Sequence, residues 1–244
     1  MRKIFIAAFV LFMLMAGGAY SQEIGIGDPE TLVIRNRQWS IYGTLHTNGL
    51  GFGFRIGKEP NIHMRRGFDF EYTYYRHFKE RRMRLDYSRV IVYGKLNYFG
   101  DIRAGYGLTR VLNSKPYWGG VEFGYFFYGG LSLGASIPVY IHKNNENLTI
   151  ERYDPEKHSP SEIYKKAPMG KGIKDMKVHP GIYLKTGLSF DFSKQDAMIV
   201  KLDFGAAVDA FFPPVEKIAF SPKQYVLLTG FVTIHLGKRL AGYE

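Results

Sequence analysis

The sequence predicts an all-β fold: an eight-stranded antiparallel transmembrane β-barrel with one long extracellular loop. Three observations carry this reading. Apolar and polar residues alternate with period two along most of the chain, which places each set on its own face of a strand. Glycine is 28 of 244 residues and aromatics are 16%, a composition that suits sheet and turns better than a helical bundle. The chain opens with Arg2 and Lys3, an apolar run from Ile4 to Ala16, and small residues Ala19 and Ser21 ahead of Gln22, the order of a secretory signal peptide. We therefore assign residues 1–21 to a signal peptide and 22–244 to the barrel. The apolar run is too short for a membrane helix, which needs about 20 residues, and no later stretch supplies one.

The strands follow in order. Trp39, Ile41 and Leu45 are apolar at odd positions, whereas Leu50, Phe52, Phe54 and Ile56 are apolar at even ones. The parity flips at Thr47-Asn48-Gly49, and Asn-Gly is a strong hairpin signal because both residues tolerate positive φ. This gives strands over 38–46 and 49–57, with one long bulged strand as the alternative. Leu32-Val33-Ile34 extends the first strand if it pairs. Phe68, Phe70, Tyr72 and Tyr74 oppose Asp69, Glu71 and Thr73, a strand over 67–79. Ile102, Ala104, Tyr106 and Leu108 oppose Asp101, Arg103, Gly105 and Gly107 within 92–111. The same pattern gives strands over 119–138, 179–192, 197–211 and 224–237. Several reach the roughly 9–11 residues of a tilted membrane strand.

Alternation alone fits a soluble sandwich as well as a membrane barrel. An even count of long strands closes without edges. Aromatics gather near the assigned strand ends, at Tyr72, Tyr74 and Tyr75, at Tyr125 to Tyr128, at Phe190 and Phe192, and at Phe211 and Phe212, as in interfacial girdles. With both termini in the periplasm, the longest link, about 139–178, falls outside and the short link 193–197 inside. Eight strands leave room for side chains and no pore. The polar face then supplies a lumenal ion-pair network: Arg55, Asp69, Glu71, Arg103 and Glu122, with Lys185, Asp191, Lys201, Asp203 and Asp209. Both signs are needed there because an unpaired buried charge costs several kcal/mol.

The net charge is +11, and +9 once Arg2 and Lys3 leave with the signal peptide. An exported basic protein meets anionic lipid or saccharide, not nucleic acid. The basic run holding Arg76, Lys79, Arg81, Arg82 and Arg84 lies in the second outside link. Lys165, Lys166 and Lys171 lie in the long loop. These are the expected contacts for the phosphates of lipopolysaccharide or for a partner in an envelope complex. Cysteine is absent, which removes disulfides and thiolate metal sites. His142, Asp154 and His158 do not show the tight spacing of a metal site, and neither metal nor cofactor is expected. Asp69 with Glu71, and Asp203 with Asp209, are read as ion-pair members in preference to hydrolytic acids. His46 and His235 face the lumen, and Gly187-Leu188-Ser189 lacks the second glycine of a nucleophile elbow. The expected function is non-enzymatic, structural or accessory, in the bacterial outer membrane. The alternatives are an enzyme acting on lipid A or envelope glycan, and a secreted, soluble, lipocalin-like carrier.

The run Glu151-Arg152-Tyr153-Asp154-Pro155-Glu156-Lys157-His158, continuing through Ile163-Tyr164 and Lys171-Gly172-Ile173 to Pro180-Gly181, resembles an uncharacterised group of small outer-membrane barrel proteins of Bacteroidota. So do Leu45-His46-Thr47-Asn48-Gly49 and Gly237-Lys238-Arg239. The resemblance spans nearly all of residues 22–244. It implies an envelope location and a barrel, and it supplies no activity.

Overall fold

The computed structural model describes residues 37–61, 63–76, 82–86, 89–92, 95–113, 120–143, 149–154, 157, 163–193, 197–216 and 224–240. The assigned signal peptide and Leu32-Val33-Ile34 lie outside the described residues. In chain order the strands are β1 (Arg37–His46), β2 (Gly49–Asn61), β3 (Met64–Tyr75), β4 (Arg82–Asp86), β5 (Arg89–Val92), β6 (Asn97–Asn113) and β7 (Glu122–Pro138). They continue as β8 (Tyr140–Lys143), β9 (Ile150–Arg152), β10 (Ile163–Lys166), β11 (Lys177–Asp191), β12 (Met198–Val215) and β13 (Gln224–Leu240). A short 3-10 helix spans Met169–Asp175.

Eight of these close into an antiparallel barrel in the order β1-β13-β12-β11-β7-β6-β3-β2. Closure pairs Arg37 with Leu240 and His46 with Phe231, so every edge is hydrogen-bonded and both ends of the ring segment lie at one rim. Links 62–63, 114–121 and 192–197 share that rim. Links 47–48, 76–96, 139–176 and 216–223 occupy the opposite one, here called the loop end. β4 and β5 form a two-stranded sheet, and β8, β9 and β10 a three-stranded one.

Each wall strand keeps the alternation of its sequence. In β3, Phe68 and Phe70 are exposed while Asp69 and Glu71 are buried. In β13, Leu228, Ile234 and Leu236 are exposed while Thr229, Thr233 and His235 are buried. The barrel therefore turns an apolar face outward and a charged one inward, the reverse of a soluble sandwich.

The structure corrects several boundaries. β2 and β3 run to Asn61 and from Met64, so their link is a tight connection rather than 58–66. β3 stops at Tyr75, not 79, because β2 begins at Gly49, opposite Tyr75, and one further bond, Arg76 N–H to the Asn48 carbonyl, closes that side. The β1–β2 hairpin replaces the bulge alternative, and its two turn residues are Thr47 and Asn48, with Gly49 already paired to His46. Gly49 is needed for proximity, not for positive φ: a Cβ there would sit 2.1 Å from the Tyr74 carbonyl oxygen. The girdle assignment also changes. Tyr75, Phe126, Tyr128 and Phe211 point inward and are buried, because neighbouring aromatics on a strand must take opposite faces.

Candidate functional site

Charged side chains fill the lumen in three tiers. Nearest the termini, Arg65 donates to Glu59 at 2.8 Å and to both Glu122 oxygens, the longer contact being 3.0 Å. Arg239 donates to Asp191 at 2.6 Å and lies 3.4 Å from Glu59. Lys201 Nζ lies 3.8 Å from Asp191 and 3.4 Å from Gln38 Oε1.

In the middle tier Arg55 spans two carboxylates, Asp69 at 2.8 Å and Asp203 at 3.2 Å. Its guanidinium lies 4.3 Å from the Tyr128 ring centre. His235 Nε2 is 2.9 Å from Asp203, and its Nδ1 is 3.4 Å from Ser40 Oγ. Lys185 donates to Glu71 at 2.8 Å and lies 3.9 Å from Asp69.

Toward the loop end Arg103 collects Asp209 at 2.5 and 2.9 Å, Asp101 at 3.1 Å, Glu71 at 3.4 Å and the Tyr75 hydroxyl. His46 Nε2 meets Glu71 at 3.0 Å. Above this tier Tyr75, Phe99, Phe211, Val215 and Leu227 pack into an apolar cap. A second apolar group, Phe126, Tyr128, Ala207 and Phe231, lines one side. The void beside Ser40, Arg55 and His235 is about 10 Å3.

All ten residues read from the sequence as lumenal thus lie in ion-pair contact inside the ring. Four further charged partners join them. Glu59, Arg65 and Arg239 sit where the strands outrun their assigned ends, whereas Asp101 has the same parity as Arg103. Serine, histidine and aspartate do meet at Ser40, His235 and Asp203, but all three are buried and the void beside them admits no substrate.

Of the basic loop residues, Lys79 and Arg81 lie outside the described residues. Arg82 and Arg84 fall on β4, whose side chains are not described. Arg76 is exposed at the tip of β3. Lys165 and Lys166 end β10, and Lys171 lies on the 3-10 helix. The described residues of the link over 139–176 include β8, β9, β10 and the 3-10 helix. Its three-stranded sheet folds against the outside of the wall, where Val139, Ile141, Tyr153 and Ile163 bury Tyr98 beside Tyr74 and Ile137. Asp175 accepts a 2.5 Å hydrogen bond from the Tyr140 hydroxyl and raises its pKa. His158 is outside the described residues. Among the described residues no cluster of three or more metal-ligating side chains occurs.

No family model and no curated protein matches the chain. Among solved structures it is similar to Ail, the attachment invasion locus protein of Yersinia pestis, in complex with the heparin analogue sucrose octasulfate. The identity is 9%, the TM-score 0.40, and the match covers 84% of this chain and 97% of that one. It is similar to Neisserial surface protein A at 12% identity and TM-score 0.40, over 84% and 96% of the two chains. The N-terminal β-barrel domain of Pseudomonas aeruginosa OprF gives 9% identity and TM-score 0.36, over 83% and 97%. The barrel assignment rests on the closed strand ring itself.

Proposed function

We propose that the protein is a non-enzymatic, integral barrel of the bacterial outer membrane. Its role would be structural, or that of an accessory subunit in an envelope complex, with the loop end facing outward. The observation that carries this is the inversion of the wall. Phe52, Phe68, Ile102, Leu131, Ile182 and Leu228 are between 55% and 70% exposed on the outer face, while the charged groups neutralise one another within. An apolar outer face of this extent is stable only in acyl chains. A soluble carrier needs the opposite arrangement, an apolar interior with room for its ligand. Among the described residues, ion pairs and the apolar cap fill the lumen, which favours a scaffold over an enzyme acting there. The basic outer loops suit phosphate groups of lipopolysaccharide or an acidic partner surface.

Fractionation tests this. The protein is expected in the outer-membrane fraction, resistant to carbonate extraction and migrating faster on SDS gels before boiling than after. Release by carbonate as a compact soluble monomer would overturn the proposal.

A further inference from the structure

The rim opposite the loop end is divided by charge. On the outward parity of five adjacent strands, β13-β1-β2-β3-β6, stand Lys238, Arg37, Lys58, Arg66 and Arg110, all exposed. Three of them share one rung: Arg37 pairs with Lys58, and Lys58 with Arg66. Lys238 flanks the rung beside Trp39, and Arg110 flanks it beside Met64. Neighbouring strands lie about 4.8 Å apart, so the backbones of the central three fall within about 10 Å. Like charges directly opposite one another repel and cost stability. Among the described residues no acid takes the outward parity of these strands, and none of the five cations pairs with a carboxylate. Glu59 and Glu122 turn inward to Arg65. Arg66 Nε donates at 3.2 Å to the Met64 sulfur, a neutral partner.

The other half of this rim is different in kind. Phe123 on β7, Phe190 and Phe192 on β11 and Met198 on β12 face outward there, the Phe123 and Phe190 ring centres 5.2 Å apart. No lysine or arginine takes the outward parity of these three strands. The cations are therefore gathered on one side, and they adjoin the apolar wall directly. The next outward rung is Trp39, Ile56 and Phe68, and Phe68 packs on Tyr106 with ring centres 5.1 Å apart. On β3, Arg66 and Arg76 bound the outward ladder from Phe68 to Tyr74. Ten residues at about 3.3 Å each, tilted by about 40°, rise about 25 Å, the height of the apolar band of an outer-membrane barrel. The Arg37–Lys58–Arg66 rung thus stands at headgroup level, where long cationic side chains lay their stems on apolar surface and turn their charges to the interface.

We propose that this half of the rim binds the phosphodiester headgroup of an anionic glycerophospholipid in the periplasmic leaflet, with the phosphate against Arg37, Lys58 and Arg66. The proposal rests on the outer-membrane reading above, which sets the loop end outward and this rim at the periplasmic leaflet. Guanidinium and ammonium groups are the natural partners of a phosphodiester, and a bound phosphate offsets the repulsion along the rung. Continuity with the lipid-facing wall selects a lipid over a soluble anion, since the acyl chains of the same molecule lie on Trp39, Ile56 and Phe68.

The full-length mature barrel, folded in a neutral detergent, is titrated with phosphatidylglycerol, phosphatidylethanolamine and glycerol phosphate and read by native mass spectrometry. Phosphatidylglycerol is expected to bind about tenfold more tightly than phosphatidylethanolamine at low salt, and the preference shrinks at high salt because the charges are screened. Glycerol phosphate, the headgroup without chains, shows no saturable binding over the same range. Lys58→Gln combined with Arg66→Gln abolishes the preference. Lys171→Gln combined with Lys174→Gln, which removes two exposed cations at the loop end, retains it. Heat-modifiability on gels confirms that each variant is folded. Equal affinity for the two lipids, the result expected if these cations serve an acidic periplasmic protein, would overturn the proposal. So would an unchanged preference in the rim variant, an equal loss in the loop variant, or glycerol phosphate binding as tightly as the lipid. Carbonate extraction separates the two claims: a barrel that stays in the membrane without preferring phosphatidylglycerol defeats this proposal alone.

Discussion

Arg103 is the residue on which most of the lumen converges. Its guanidinium holds Asp101, Asp209 and Glu71 and touches Tyr75, all buried. Arg103→Met keeps the volume and removes the charge, leaving three carboxylates to share Lys185 and His46. Breaking a buried pair costs about 3–5 kcal/mol, so the temperature at which the folded band disappears on unheated gels is expected to fall sharply. Lys201→Met should cost less, because Asp191 keeps Arg239 and the Ser193 backbone N–H and hydroxyl. Equal losses in the two variants would contradict the tiered network. At this scale parity suffices to find Arg55, Asp69, Glu71, Arg103, Lys185 and Asp203. It does not reach Glu59, Arg65 and Arg239, because the periodic apolar signal fades at strand ends before the pairing does.

Among the elements, the wall depends on backbones that approach too closely for side chains. Gly49 opens β2 against Tyr74, and Gly43 on β1 faces open space with nothing within 4 Å of a built Cβ. Gly49→Val is expected to push β2 from β3 and lower the yield of folded barrel in a detergent refolding assay. Gly43→Ala should refold like the wild type, and a loss of yield there would contradict the register. Inward glycines also make room for inward rings: a Cβ at Gly53 would lie 2.3 Å from Tyr42, and one at Gly107 2.6 Å from Tyr128. This pairing of small with large accounts for the abundance of both residue types, and composition alone does not say which faces which. The Asn-Gly signal locates the first hairpin, and the strands read as 38–46 and 49–57 leave Thr47 and Asn48 as its turn, as observed; the role of Gly49 differs, since the need for glycine there arises from a neighbouring strand. The β8–β10 sheet has no alternating signature because its strands are only three or four residues long.

For the molecule as a whole, strand count, direction and the asymmetry of the links are legible in the sequence, because closing a ring demands an even number of long, alternating strands. The packing of the long loop on the outer wall is not, since Tyr98 reads as one more outward residue until its covering is seen. The filled lumen has an electrical consequence. Reconstituted in a planar bilayer, the barrel is expected to show no discrete conductance steps, and stable ohmic openings would contradict a lumen closed by ion pairs and the Tyr75–Phe99–Phe211 cap. A charge on the lipid side is a complementary probe: Leu131→Arg, 70% exposed on the outer face, should cost about 2–4 kcal/mol if it lies near the bilayer midplane, read as reduced recovery of heat-modifiable protein.

The orientation of the wall itself is open to direct measurement, since the chain has no native cysteine. Single cysteines placed in turn from Phe68 to Tyr74 in the reconstituted barrel can be challenged with a lipid-partitioning maleimide and with a charged, water-soluble one. Reaction with the lipid-phase reagent should alternate, strong at positions 68, 70, 72 and 74 and weak at 69, 71 and 73. Shielding of Phe70→Cys from the lipid-phase reagent, with Asp69→Cys open to it, would show that the apolar face points inward and that the barrel does not sit in a membrane.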